Sequence, residues 1–514
     1  MQQAINRSEH LSELVGRLAE TPSYLCGREI LKRRGCVTFD RLVGDSFLLL
    51  AAALAEDSQL AVAAQKHKTA CGRPAMLIIA DGTSEVDRVV DELPLFTDIP
   101  IVSFPALPDQ FLIEEGEESA EISLATERLF GQRLRAIKTL LRGGAADTGS
   151  EAILVTTPMA LVQPIPSPEE ILSRTRLLHT GQTIDREELV RWLLEAGFHD
   201  STSVELPGEY SIRGGICDIF APDWERPIRI EFFGDEIDSI RRFDVQTQRS
   251  LESLSSIDLT GLLPSSKGKC LLYDHLPDHA LVYLLRADAV LRAGNDLDLY
   301  YQSLAKGKKN AKDRTDAEDV SPFSAIIRAL DSYPMVFATS LASGNEPTDQ
   351  TFSFDFQTVE RFTGSEFAEQ FRIIPPDVEV DLFCLSETEA GRMRLLLEET
   401  LPAKEGRIRY EVGLMSAGFD APSFGRIVLG SNEIFRRTSL HRARKPILSS
   451  AIDSFTDLAP GDLVIHVAHG LARFRGLKML KSGQQEEENL ELEFAGNTTL
   501  CVPVSKITLV QKYI

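Results

Sequence analysis

A chain of 514 residues, 43% of them hydrophobic, is too long for one ordinary core and predicts several domains. Its 55 basic and 77 acidic residues give a formal charge of −22, which repels a phosphate backbone and favours protein partners over broad nucleic-acid contact. The seven cysteines include no CxxC pair, arguing against a disulfide framework or a zinc site, and the longest apolar run, FLLLAAALA at 47–55, is too short to span a bilayer. With no secretory pattern in MQQAINRSEHLSELV, the expectation is a cytoplasmic chain with no membrane contact.

Along the chain, residues 46–56 read as a helix with Ser46 at its N-cap. AMLIIADG (75–82) reads as a buried strand followed by the helical TSEVDRVVDEL, and AILVTTP (152–158) as another strand. Short apolar strands alternating with helices predict a parallel α/β layer over the first ~170 residues. TIDREELVRWLLEAGF then predicts a helix capped by Asp185 and stopped at Gly197, with Leu189, Trp192, Leu193 and Ala196 as its buried stripe.

Three strands are expected from there to about residue 258. In GEYSIRGGICDIF (208–220), read as one strand, Tyr210, Ile212, Ile216 and Phe220 fall on one face and Arg213 on the other. In IRIEFFGDEID (228–238), Ile228, Ile230 and Phe232 share a face, leaving Arg229, Glu231 and Phe233 on the opposite one. Two arginines and a phenylalanine thus look away from the expected core.

Residues 260–375 carry no clean pattern, and the lysine-rich AKGKKNAKDRTDAED (305–319) reads as a solvated loop. VEVDLFCLSETEAGRMRLLLEETL, from 378, reads as strand then helix, and RIVLGSNEIF (426–435) adds another strand, giving a further small α/β unit. A basic linker, RRTSLHRARKP, follows. Five short strands packed into the tail from 456 suggest a small barrel.

Catalytic signatures are missing. A nucleotide-hydrolysing loop needs GK[ST], but LVGDSFLLLAAALAE offers only Gly44, Asp45 and Ser46, without the lysine. His466 and His469 stand three apart on an expected strand, which sends them to opposite faces without a third ligand. The acidic run EEGEESAE (114–121) reads as a solvated face, and no GxSxG elbow occurs.

The stretch GEYSIRGGICDIF…RPIRIEFFGDEIDSIRRFDVQTQRSLE resembles the module shared by the excision-repair protein UvrB and the transcription-repair coupling factors, the Mfd family. Residues 458–513, with PGDLVIHVAHGLARFRGL, LELEFAG and LCVPVSKITLVQKYI, resemble the RNA-polymerase-interaction domain of those coupling factors, itself similar to CarD regulators. UvrB has an intact phosphate loop and an aromatic-rich DNA hairpin. Here Gly44–Ser46 is degenerate, and FPALPDQFLIEEGEESAEISLATERLF is acidic with few aromatics.

The resemblance implies a multidomain α/β and α+β fold. A UvrB-like degenerate RecA-type α/β domain (1–175 and 259–375) would carry an inserted α+β UvrA-binding domain (176–258). A small α/β domain (376–435), a basic linker (436–455) and a C-terminal SH3/Tudor-like five-stranded barrel (456–514) would complete it. The implied partners are UvrA, at Arg213, Arg229 and Phe233, and the RNA polymerase β subunit, at Leu480. DNA contact, ATP and magnesium would belong mainly to motor domains that a full-length family member carries beyond this portion. No cofactor, metal or catalytic residue is expected in this chain. The expected function is that of an adaptor in transcription-coupled repair; the alternatives are a UvrB-like repair ATPase subunit and a CarD-like transcription regulator.

Overall fold

The computed structural model describes residues 7–63, 75–107, 120–141, 152–245, 247–261, 270–277, 280–307, 321–342, 348–359, 371–372, 374–400, 407–434, 463–466, 470–482, 485–494, 498–503 and 510–512. The chain divides into two compact units, Met1–Ser439 and Leu440–Ile514. The acidic run at 114–119, most of the lysine-rich stretch, the basic linker and His469 lie outside the described residues.

The first unit is built on a seven-stranded sheet, ordered Gln350–Ser353, Cys36–Asp40, Met335–Ala338, Leu281–Leu285, Met76–Ile79, Ile153–Thr156, Ile101–Phe104. Every neighbouring pair is parallel. Because helices cover both faces, the central strands are continuous apolar runs, and successive residues feed two different cores. Val37, Phe39, Ile78, Val155, Tyr283 and Val336 enter one. Leu77, Ile79, Leu154, Val282, Leu284 and Phe337 enter the other.

The helix Ser46–Glu56 is buried at every position from Ser46 to Ala55, as its lack of a polar face requires. Its N-cap is Asp45 rather than the expected Ser46. The Ser46 hydroxyl instead accepts the Val43 N–H at 2.9 Å, one turn back.

After Ile153–Thr156 the chain leaves this sheet through a two-stranded neck and later returns through it. The outgoing strand Thr175–His179 pairs antiparallel with the returning Ser256–Thr260. Between them lies a six-stranded sheet, in chain order His199–Asp200, Glu209–Arg213, Ile216–Ile219, Ile228–Phe233, Glu236–Phe243 and Ser250–Leu254. The sequence reading had only three strands here, because it ran each hairpin together as one strand. The helix Arg186–Glu195 starts where expected, with Asp185 accepting the Glu187 N–H at 2.9 Å. It lays Leu189 and Leu193 against Tyr210, Cys217, Ile219, Ile228, Ile230, Ile237 and Ile240.

The neck is braced by the helix Ala120–Leu141. Lys138 Nζ donates to Asp223 at 2.6 Å and to the Thr260 hydroxyl at 2.9 Å, and Arg135 Nε to the Asp223 carbonyl at 2.7 Å.

Residues 379–430 form a four-stranded sheet: Ile408–Val412, Glu379–Cys384 and Arg426–Gly430 run parallel, and Phe419–Ala421 antiparallel at the edge. One side has its own core with the helix Glu387–Thr400. The other contributes Phe383, Met415, Phe419 and Val428 to the cluster that holds the Ser46–Glu56 helix. The two layers therefore share a core.

The second unit is a five-stranded antiparallel sheet ordered Thr498–Pro503, Gln485–Phe494, Gly470–Ser482, Leu463–His466, Val510–Lys512. Val464, Phe474, Leu490 and Leu492 are buried. Among the described residues the two edge strands do not pair with each other, so the sheet is open where a closed barrel was expected.

Candidate protein-docking sites

The outer face of the six-stranded sheet is fixed by its register. Arg213 pairs with Ile216, Ile216 with Glu231, and Glu231 with Ser239, giving one cross-strand row. Ser211, Asp218, Arg229 and Arg241 form the row behind it, and Phe233 with Glu236 the row in front. Facing residues of a ladder share a side. Arg213, Arg229 and Phe233 therefore lie on one face, opposite the helix Arg186–Glu195.

Simple alternation puts Ile216 and Phe220 on the core face with Tyr210 and Ile212, and the structure corrects both: Phe220 packs instead with Val204 and Phe243. Gly214 and Gly215 are the two residues of a tight hairpin turn, with Gly214 at φ +61°. The turn breaks the alternation, so Cys217 and Ile219 point inward and Ile216, 37% exposed, joins the outer face. The glycine doublet was the available signal.

The three candidate residues differ in their surroundings. Phe233 is 82% exposed, more than any other large hydrophobic side chain among the described residues. Arg213 is exposed and donates to the Thr202 carbonyl. Arg229 is largely covered: it makes a bidentate pair with Asp218 at 2.7 and 2.8 Å and lies 4.6 Å over the Phe243 ring. Beneath it Val204, Phe220 and Phe243 form a small second cluster.

Glu231 accepts from Ser239 at 2.9 Å and pairs with Arg241 at 3.3 Å, so the polar part of this face is internally matched. The hairpin turn is tethered by Arg186, which donates to the Gly214 carbonyl at 2.6 Å. A rigid sheet presenting an aromatic, an isoleucine and an arginine around such a matched network has the composition of a protein-binding surface.

In the second unit Leu480 stands opposite Glu487 near the end of the thirteen-residue strand Gly470–Ser482. Its side chain lies outside the described residues. The strand pairs antiparallel with Gln485–Phe494, and its register breaks between Phe474 and Gly476, a bulge that bends it.

Gly44, Asp45 and Ser46 sit where the strand Cys36–Asp40 turns into the helix Ser46–Glu56, the position of a phosphate loop in a parallel α/β sheet. Asp45 and Ser46 are fully buried, and Arg88 donates to Asp45 and Glu85. An acid at the head of the helix, already matched by an arginine, offers phosphate no cation.

The family model described as the UvrB interaction domain matches residues 177–263, and that of the CarD-like/TRCF RID domain matches 458–514. The chain is similar to proteins named transcription-repair-coupling factor. With that of Staphylococcus aureus strain bovine RF122 / ET3-1 it shares 25% identity over 90% of this chain and 45% of the relative. With that of Bacillus subtilis strain 168 it shares 26% over 85% of this chain and 43% of the relative. The chain thus spans less than half the length of these curated relatives, and the match falls in their N-terminal portion. Among the described residues no helix is long and apolar enough to cross a membrane.

Proposed function

We propose that this chain acts as the adaptor portion of a transcription-repair-coupling factor, joining RNA polymerase to UvrA. The observation that carries the reading is Phe233, 82% exposed on a braced sheet inside the stretch that matches the UvrB interaction domain. Arg213 and Ile216 flank it as further anchors, and Arg229 fixes the charge pattern behind them. The division stated from the sequence, with 176–258 as the UvrA-binding insertion, 376–435 as a small α/β element and 456–514 as the polymerase-binding domain, is part of the proposal. So is closure of the C-terminal sheet into an SH3/Tudor-like barrel.

The polymerase β subunit is the second partner, bound through the unit that matches the CarD-like domain, with Leu480 at the contact. Recognition by strand pairing next to Leu480 would supply main-chain hydrogen bonds and tolerate side-chain variation. ATP-driven movement on DNA, with its ATP and magnesium, is assigned to the part of the relatives that this chain does not match. The buried Asp45–Arg88 pair supports reading Gly44–Ser46 as a loop that has lost nucleotide chemistry, against the UvrB-like ATPase alternative.

The test is a calorimetric titration with cognate UvrA, beside an Arg213→Ala/Arg229→Ala/Phe233→Ala variant shown by circular dichroism to be folded. Saturable binding that the variant loses is the expected result. No binding by the unaltered chain would overturn the UvrA assignment and leave a CarD-like regulator as the better reading.

A further inference from the structure

The cleft at Gly44–Ser46 is filled, and by this chain. The turn Met415–Gly418, between the strands Ile408–Val412 and Phe419–Ala421, enters it as far as main-chain contact allows. A Cβ on Gly44 would stand 2.1 Å from the Gly418 carbonyl oxygen and 2.5 Å from that of Ala417. Gly44 also holds φ +52°, so its lack of a side chain serves both the turn and the approach.

The contact is polar and reciprocal. The Asp45 N–H, at the head of the helix, donates to the Ala417 carbonyl at 2.6 Å. Asp45 Oδ2 accepts the Ala417 N–H at 3.3 Å, so Ala417 is held through both of its main-chain polar groups. The Ser416 hydroxyl donates to Glu92, and Arg88, from the same helix as Glu92, donates to Asp45. On the far side Glu433 accepts the Gly418 N–H at 2.8 Å and the Gly430 N–H at 3.1 Å, bracing the turn. Asp45, Arg88 and Glu92 are all buried.

These groups take over what a nucleotide phosphate would do in such a cleft. A helix N-terminus favours an acceptor, and here the Ala417 carbonyl takes the Asp45 N–H while the Asp45 carboxylate, which makes no hydrogen bond to the helix's own N–H groups, adds a negative charge beside them. A phosphate needs a nearby cation, and Arg88 supplies the counter-charge to Asp45 instead. The space that remains is occupied by backbone.

The structure assigns residues 377–434 the role of a built-in occupant of this cleft, closing it to nucleotides and fastening the small sheet to the parallel α/β body as one nucleotide-independent platform. A second attachment supports this. Arg426 pairs with Glu13 of the helix Glu9–Ala19 at 2.8 Å, and Arg409 meets His10 at 3.0 Å. Phe356, from the body, packs edge-on against Phe419 at 5.5 Å. The inference does not rest on UvrA or polymerase binding.

The test is hydrogen exchange by mass spectrometry on the full chain and its Gly44→Ala variant. If the turn is the occupant, amides of 46–50 and of 413–434 should exchange together, on the order of tenfold faster in the variant, with 228–243 unchanged as the internal control. Faster exchange confined to 42–50, or none, would overturn the inference. Should Gly44→Ala fail to fold, Ser416→Ala removes only the hydroxyl that reaches Glu92 and should produce the same paired acceleration to a smaller extent. Equilibrium dialysis of the unaltered chain against ATP and magnesium gives the second readout: no saturable binding is expected, and saturable binding would show that the cleft is open.

Discussion

Arg229 Nε and Nη2 reach the two carboxylate oxygens of Asp218, on the adjacent strand, at 2.7 and 2.8 Å. The Arg229 side chain is 20% exposed and that of Asp218 8%, so both charges sit mostly out of water, where the pair is worth more than a surface ion pair. Removing Asp218 leaves the arginine over the Phe243 ring with only the Gln248 amide oxygen, at 3.3 Å, as acceptor. Asp218→Ala should therefore cost about 2–3 kcal/mol of stability. The chain's two tryptophans, Trp192 and Trp224, both lie in the inserted region, so their fluorescence in a urea titration isolates this effect. A shift below ~0.5 kcal/mol would mean that the pair is ornamental.

Phe233 presents the opposite case. Exposed on a hairpin edge, it has little to lose on truncation, and Phe233→Ala should change stability by no more than ~0.5 kcal/mol. As a central anchor its loss should weaken UvrA binding by about 2 kcal/mol, or roughly thirtyfold. Ile216→Ala should weaken binding less, since a smaller side chain excludes less water. Calorimetry on the two variants checks the ranking, and equal affinities for the unaltered and Phe233→Ala proteins would remove Phe233 from the interface.

The attachment of the insertion to the body depends on Lys138. Its ammonium is held by Asp223 and Thr260, and both charged side chains are almost wholly buried. Lys138→Met should cost about 3–5 kcal/mol, because Asp223 remains buried without its partner. A second change, Asp223→Leu, should recover part of that loss, since removing both charges also removes the uncompensated one. Scanning calorimetry of the single and double variants reads both steps, and a double variant less stable than Lys138→Met would contradict the argument.

The parallel sheet was legible because its strands are unbroken apolar runs with no second period to confuse them; Met76–Ile79 and Ile153–Thr156 fall inside the stretches expected from sequence. The outward placement of Arg213, Arg229 and Phe233 followed from simple alternation. The same alternation failed at Ile216, because a two-residue turn at Gly214–Gly215 reverses the chain without changing the apolar count. The Asp45 contact with the Met415–Gly418 turn was beyond reach. It joins residues about 370 positions apart through backbone, and main-chain contacts leave almost no trace in side-chain pattern. Only the glycines at 44 and 418 mark it, and isolated glycines have many other causes.

That buried junction should carry a pH signature. Burial raises the Glu433 carboxyl to about 7, opposed by the Gly430 and Gly418 N–H groups and assisted by nearby Asp45. Glu92 is likewise pushed up, by burial first and then by Asp45, against the lowering effect of Arg88. The unfolded chain releases the Glu433 proton near its ordinary value of 4.5, so between 4.5 and about 7 the folded state holds more protons than the unfolded one. The contribution is full below the unfolded value and is lost as pH rises through the folded one. From pH 6 to pH 8, Glu433 alone should remove on the order of 1 kcal/mol. Glu433→Gln keeps an acceptor for both N–H groups but cannot ionise, so the stability difference between variant and unaltered chain should shift by that amount in the variant's favour across this interval. Urea titrations at several pH values measure it directly, and parallel curves for the two proteins would show that Glu433 stays ionised in the fold.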